Sequence, residues 1–202
     1  MQRQLMEIPP AERDAWVDRA FGLGAPPDDG PELPRGCVPY FPCAVDVVMR
    51  AVEHANVTAE DVFVDVGAGI GRVTTLVHLL TGARAIGVEI QPALVRAARE
   101  LAMRMRADGV VYVEGDAIDK ANALADGTVF FLYCPFSGER LARLLAALEP
   151  IARTRPIRIC CVDLPLPPCA WLTCDPPLAG DLAIWRSAIV AQVERSVAAP
   201  RP

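Results

Sequence analysis

The sequence predicts an α/β fold built on a doubly wound, mostly parallel sheet, with a helical extension before it and an antiparallel hairpin at its C-terminal edge. Three observations carry that expectation. Short β-branched runs alternate with longer stretches of helical period; the apolar run Val62–Val66 leads straight into a glycine turn and a helix; and residues 128–133 are almost wholly apolar, as a central strand buried on both faces must be.

The elements follow in order. Residues 10–21 read as a helix with Trp16, Val17, Ala20 and Phe21 on one face, stopped by Gly22 and Gly24, and residues 25–36 form a linker rich in Pro, Gly and Asp. Pro42 opens a second helix carrying Val45, Val48, Met49 and Val52 at helical spacing. After the strand Val62–Val66, a helix from Gly71 turns Val73, Leu76, Val77 and Leu80 inward and ends at Gly82. Residues 85–89 make the second strand, and Pro92 sits in the first turn of a helix striped by Leu94, Ala98, Leu101 and Met105. A third strand over 110–113 and a short helix or loop precede the fourth strand, 128–133. Ser137 then caps a helix with Leu141, Leu144, Leu145 and Leu148, closed by Pro150, and residues 157–162 are strand five. Pro165, Pro167 and Pro168 leave little room for another crossover helix, so residues 170–174 and 182–187 are expected to pair as the edge hairpin.

At 202 residues the chain is long enough for one compact unit, and 52% apolar against 22% charged residues excludes a disordered chain. Twenty Lys and Arg against 25 Asp and Glu give a net charge of −5, the opposite of a protein that lives on phosphate backbones. Nucleic acid is therefore not an expected partner. No uncharged apolar run approaches the roughly 18–20 residues that cross a bilayer, and residues 1–14 place charges and a Pro pair where a signal peptide needs an apolar block. The expectation is a cytoplasmic protein that does not engage a membrane. Seven cysteines without a C-x-x-C pair, and only His54 and His78 beside them, point to buried free thiols and to no metal site.

The segment that carries chemistry is Val62–Gly71, VFVDVGAGIG, where a strand meets three glycines two apart and then a helix start. Glycine lets the backbone turn sharply and a ligand lie against bare main chain, while the helix start offers N–H groups to an anion. A tight turn that binds nothing is the bland alternative. Two carboxylates sharpen the reading: Asp65 precedes Gly67 by two residues, and Glu89 ends the next strand, where a carboxylate can accept both ribose hydroxyls. The dinucleotide pattern G-x-G-x-x-G would put its last glycine at position 72, which is Arg72, so a nicotinamide-dependent oxidoreductase is the disfavoured rival.

With these residues in view, the chain resembles the class I, seven-strand, Rossmann-like methyltransferases that use S-adenosylmethionine, over residues 38–162. The resemblance implies a helix and linker at residues 1–36 followed by the methyltransferase domain at 37–202. It implies that Asp65, Gly67, Ala68, Gly69 and Gly71 wrap the methionine part of the cofactor and that Glu89 holds the ribose. Ile90 would pack on adenine, Asp116 bond the adenine amino group and the Ala117 N–H serve the ring. A narrower likeness, in Cys37-Val38-Pro39-Tyr40-Phe41-Pro42, FVDVGAGIGRV and GVEIQPALVRAAREL, is to the small protein-lysine methyltransferases of organelle ATP synthase and carrier subunits, and to the non-SET histone-lysine methyltransferases. Cys43 stands where the small family often has Ser or Thr, and no amino-terminal membrane anchor is visible.

Methyl transfer from a sulfonium needs mainly alignment and exclusion of water. The residues that choose the acceptor are then those after the fourth strand: Tyr133, Cys134, Pro135 and Phe136. Enzymes that methylate adenine amines usually carry Asn or Asp and then Pro-Pro here, and Tyr133 and Cys134 replace the first two. Tyr133, the candidate catalytic residue, and Phe136 line a channel for an aliphatic amine or simply cap the core. Tyr40 is either a lid over the cofactor or an anchor for the amino-terminal helices. His54 and His78 read as structural, and Arg96, Arg99, Arg104 and Arg106 as the wet face of their helix. Asp163, just after strand five, could orient an acceptor but is not counted among the expected site residues, while Asp175-Pro176-Pro177 falls too late in the chain to be more than a loop. The leading reading is methyl transfer to a protein lysine; a small-molecule acceptor and a non-catalytic cofactor-binding module are the remaining alternatives.

Overall fold

The computed structural model describes residues 1–28, 30, 33–175 and 181–188. Positions 29, 31 and 32 of the expected linker, and Pro176 and Pro177 of the expected loop, lie outside the described residues. Seven strands form one sheet: β1 (Val62–Val66), β2 (Arg84–Glu89), β3 (Val110–Glu114), β4 (Val129–Tyr133), β5 (Arg158–Val162), β6 (Leu172–Cys174) and β7 (Leu182–Ser187), in the order β3-β2-β1-β4-β5-β7-β6. The first five are parallel, and β7 runs antiparallel between β5 and β6. Strand order reverses between β1 and β4, which parts the following loops and leaves a crevice at the carboxyl ends there.

Alternation along each strand assigns the two faces. On one face Phe63 and Phe131, with ring centroids 5.9 Å apart, pack with Val45, Val48 and Leu76 from α3 (Val45–His54) and α4 (Arg72–Thr81). On the other, Val62, Val64, Phe130 and Leu132 meet Leu141, Leu144 and Leu148 of α7 (Gly138–Thr154). Between them in sequence, α5 (Pro92–Met105) packs its Val95 and Ala98 against Tyr112 of β3, and the four-residue α6 (Ala121–Leu124) fills the short connection before β4. The edge hairpin forms as the prolines predict. No helix among the described residues is long and apolar enough to cross a membrane.

Strand ends shift by a residue or two from the sequence reading, and the helices differ more. The helix over 138–154 passes through Pro150 instead of stopping there. Pro150 lies on the exposed side, so the Ala146 carbonyl deprived of its N–H partner faces water, while Leu148 and Ala152 continue the buried stripe. The helix expected from Pro42 begins at Val45, and a further helix, α1 (Gln2–Glu7), precedes a 3-10 turn at Pro10–Glu12 and α2 (Arg13–Phe21).

The α3 start has a tertiary cause. Its N-cap position is Ala44, which has no side-chain acceptor, and the Val45 N–H donates instead to Asp14 Oδ1 of α2 at 2.9 Å. Asp14 also holds Arg72, the first residue of α4. Arg72 is 4% exposed, and its guanidinium donates to Asp14 at 2.8 Å, Asp18 at 2.7 Å and the Cys43 carbonyl at 2.6 Å. With Leu5, Val17 and Phe21 fully buried in the same core, the amino-terminal helices are tied to the start of the helix that follows the glycine turn.

Replacing Arg72 by Met is expected to lower the unfolding free energy by about 1–3 kcal/mol, because it leaves the Cys43 carbonyl unpartnered in the interior while the half-exposed Asp14 and Asp18 recover water. Urea denaturation measures this, and trypsin should cut at Arg35 faster than in the parent protein.

Candidate functional site

The crevice at the strand-order reversal holds a cavity of about 330 Å³, within the size range of small-ligand sites. Its floor is the carboxyl edge of the sheet: Gly67 after β1, Glu89, Ile90 and Gln91 at β2, Gly115, Asp116 and Ala117 after β3, Tyr133 to Phe136 at β4, and Asp163 after β5. Its roof is Leu33 and the segment 37–41, with Arg140 of α7 closing one side.

The roof is attached by main-chain bonds. Cys37 pairs with Phe136 as an antiparallel bridge, the Val38 N–H donates to the Pro135 carbonyl at 3.1 Å, and the Ser137 N–H donates to Gly36 at 3.3 Å. The Gly30 N–H reaches Gln91 Oε1 at 2.6 Å, which places Gly30 beside the end of β2. The segment 36–40 is thus one wall of the cavity as well as a chain connection.

Of the residues expected to meet a cofactor, Tyr40, Gly67, Glu89, Ile90, Asp116 and Ala117 line this cavity together with Tyr133, whereas Asp65, Ala68, Gly69 and Gly71 lie behind its wall. The three turn glycines all have left-handed backbones, φ +82, +55 and +79, and each has its own close neighbour. A Cβ on Gly67 would stand 3.0 Å from Pro135, one on Gly69 would enter the Tyr40 ring, and one on Gly71 would strike the Tyr112 hydroxyl. Bare backbone at the last two positions is covered by Tyr40 and Tyr112; Gly67, against Pro135, borders the cavity.

Glu89 ties the turn to the end of β2. Its Oε2 accepts the Gly69 N–H and its Oε1 the Gln91 N–H, both at 2.9 Å. Asp116 accepts the Ile118 N–H at 3.0 Å and pairs with Arg140, which also lies over the Phe136 ring, 5.6 Å from its centroid. Asp65 points to α4, where Thr74 Oγ1 donates to it at 2.7 Å. Burial pushes the Asp65 carboxyl up to about 7, an effect that the Thr74 bond opposes and the Glu89 charge reinforces. Burial likewise raises the Tyr40 hydroxyl and the Cys43 thiol to about 12 each.

The sequence reading missed Leu33, Gln91 and Arg140. Arg140 belongs to the polar side of an amphipathic helix, and its spacing cannot distinguish a solvated guanidinium from one turned onto a carboxylate of another loop.

The sequence profile of the histone methylation protein DOT1 family matches residues 40–112. No curated protein sequence matches the chain. Among solved structures, an RNA methyltransferase from Salinibacter ruber in complex with S-adenosyl-L-homocysteine is 29% identical, over 74% of this chain and 94% of that one, with a TM-score of 0.59. A proposed methyltransferase from Escherichia coli shares the fold at 19% identity over 77% of this chain and 90% of that one, TM-score 0.57. A proposed caffeoyl-CoA O-methyltransferase from Staphylococcus aureus shares it at 12% over 75% and 86%, TM-score 0.57. With the β3-β2-β1-β4-β5-β7-β6 sheet and its crevice, these define the chain as a class I, S-adenosylmethionine-dependent methyltransferase.

Gly69→Ala should displace Tyr40 and, with a left-handed backbone, cost about 1–2 kcal/mol of stability; calorimetry should show S-adenosylhomocysteine binding weakened more than that of the parent at equal folded fraction. Asp65 supplies a pH signature. Its folded carboxyl holds its proton up to about 7, against 3.8 unfolded, so the stability it contributes is complete below about pH 4 and is lost as pH rises through 7. Asp65→Asn should therefore lose less stability than the parent between pH 4 and 7 in urea titrations.

Proposed function

We propose that this chain transfers the methyl group of S-adenosylmethionine to the side-chain amine of a protein lysine. The observation that carries the reading is the aromatic mouth at the end of β4. Tyr133 and Phe41 stand with ring centroids 6.5 Å apart, and Phe41 is 68% exposed and Val38 49% exposed beside them. A narrow apolar wall suits the methylene stem of a lysine, and ring faces attract its charged form.

The cavity suits an adenosyl cofactor. Gly67 presents a bare backbone, Glu89 is held at the end of β2, and Ile90 and Ala117 offer apolar surface between them and Asp116. In this reading Glu89 holds the ribose, Ile90, Asp116 and Ala117 hold adenine, and Asp65 with the glycine turn shapes the methionine end. When bound, the cofactor supplies an electrophilic methyl on a sulfonium. The chain's part is to align the amine and exclude water, and Tyr40, Phe41 and the 36–40 wall cover the crevice for that purpose. The lysine ammonium first gives one proton to water; the lone pair of the neutral nitrogen would then take the methyl carbon of a bound cofactor as the C–S electron pair returns to sulfur. Positive charge moves to nitrogen, and the product ammonium gives its proton to water.

The DOT1-family match supports a protein acceptor, and the 29% identity to the Salinibacter enzyme favours RNA as the second reading. Three carboxylates, Glu89, Asp116 and Asp163, line the cavity against the single guanidinium of Arg140, which Asp116 already neutralises. That balance repels a polyanion and suits a cationic side chain.

The test is incubation of the full chain with methyl-labelled cofactor and lysate of its source, followed by protease or nuclease digestion and mass spectrometry. Methyl-lysine is expected; label released by nuclease would overturn the protein reading. Tyr133→Ala should reduce the labelling rate by about ten-fold, near 1.4 kcal/mol of transition-state alignment, with S-adenosylhomocysteine affinity little changed.

A further inference from the structure

Strands β4 and β5 leave the sheet at the same level, Tyr133 opposite Val162. The next residue on each, Cys134 and Asp163, then turns into the left-handed region, at φ +43 and φ +49. Both line the cavity. Asp adopts this conformation more readily than most residues, Cys less so, and such backbones cluster where a ligand is held.

The three cavity carboxylates are engaged very differently. Glu89 accepts two backbone N–H groups, and Asp116 accepts Ile118 N–H and pairs with Arg140. Asp163 donates its backbone N–H to the Asp181 carbonyl at 2.9 Å, but its carboxylate has no hydrogen-bond or ion-pair partner among the described residues. It is exposed at the mouth, on the strand beside Tyr133. The Tyr133 hydroxyl is raised by burial first, and then by Cys43, Asp163, Asp181 and Cys134, none of them a cation. The nearby Arg50 is committed to Asp181 at 2.9 Å. The acceptor end of the crevice is therefore an aromatic wall closed by one uncommitted negative charge.

We infer that Asp163 is the substrate-positioning residue for a primary alkylamine, accepting an N–H of the lysine nitrogen where it meets the methyl group. The inference deepens the protein-lysine reading and rests on it. In the step already described, the nitrogen changes from neutral to positive as its lone pair takes the methyl carbon and the C–S pair goes to sulfur. A carboxylate hydrogen-bonded to that nitrogen interacts more strongly with the charged product-like state than with the neutral amine. An alkylamine arrives at the mouth as a cation and an alcohol does not, so Asp163 also selects for amines at the binding step.

The test compares the full chain with Asp163→Asn, which keeps the tolerance for a left-handed backbone, and Asp163→Glu, which keeps the charge. Asp163→Asn is expected to lower the rate of methyl-lysine formation by about ten-fold or more, the scale of one charge-assisted hydrogen bond, with S-adenosylhomocysteine affinity within about two-fold. Asp163→Glu should regain part of the rate. The second readout needs no turnover: in saturation-transfer NMR with S-adenosylhomocysteine present, n-butylammonium should bind the parent and not Asp163→Asn, and the uncharged n-pentanol should not distinguish them. Equal methyl-lysine rates and equal n-butylammonium binding in parent and Asp163→Asn would overturn the role of Asp163 while leaving lysine methylation standing. Label in RNA or in a non-amine acceptor would overturn both.

Discussion

Arg72 carries a permanent charge into the interior, and its partners come from two other segments of the chain. Asp14 and Asp18 reach it from α2, and the Cys43 carbonyl from the turn before α3. Asp14 in turn caps α3 through the Val45 N–H, so one carboxylate settles both where α3 begins and where α2 lies. Between these anchors, Leu33 and the segment 37–41 lie across the carboxyl edge of the sheet. The segment's exit at Cys43 is held by Arg72, its middle by the Pro135 and Ser137 backbone, and Tyr40 lands on the turn one residue past Ala68. The roof of the crevice is thus a mechanical consequence of one buried guanidinium and its half-exposed carboxylate partners.

The crevice floor divides by charge and by commitment. At the β2–β3 end, every carboxylate is already bound by backbone N–H groups or by Arg140, which leaves rigid acceptors for neutral hydroxyl and amino groups. At the β4–β5 end, aromatic side chains and Asp163 face the opening with fewer internal partners. A preorganised end suits a molecule bound in one pose, and a less committed end suits an acceptor that arrives on another macromolecule.

The glycine turn has two jobs. Left-handed backbones at positions 67, 69 and 71 reverse the chain from strand to helix, and closely packed neighbours make glycine necessary at each. Tyr112 shows how tight the packing is: its hydroxyl donates to the Gly71 carbonyl at 2.9 Å and shares a second bond with Thr75. Of the three, Gly67 alone lines the cavity. A motif whose residues are required for folding and for ligand approach together looks the same in sequence as one required for either.

Periodicity and turn chemistry determined a great deal: the five parallel strands, the antiparallel edge hairpin, the helix stripes, and the carboxylate at the end of β2 all follow from spacing within short windows, while Asp116 after β3 is singled out only by the family resemblance. These are local properties, because the face a residue occupies depends on its distance in sequence from the next apolar one. Tertiary structure decided the rest. Arg72 finds Asp14 across 58 residues, Gln91 receives Gly30 across 61, and α7 runs on past Pro150 because its far side happens to face water. No short window contains both members of such a pair. Their meeting depends on how the sheet twists and which helices cover it, so charge and cap partners at long range emerge only when the packed core brings the segments together.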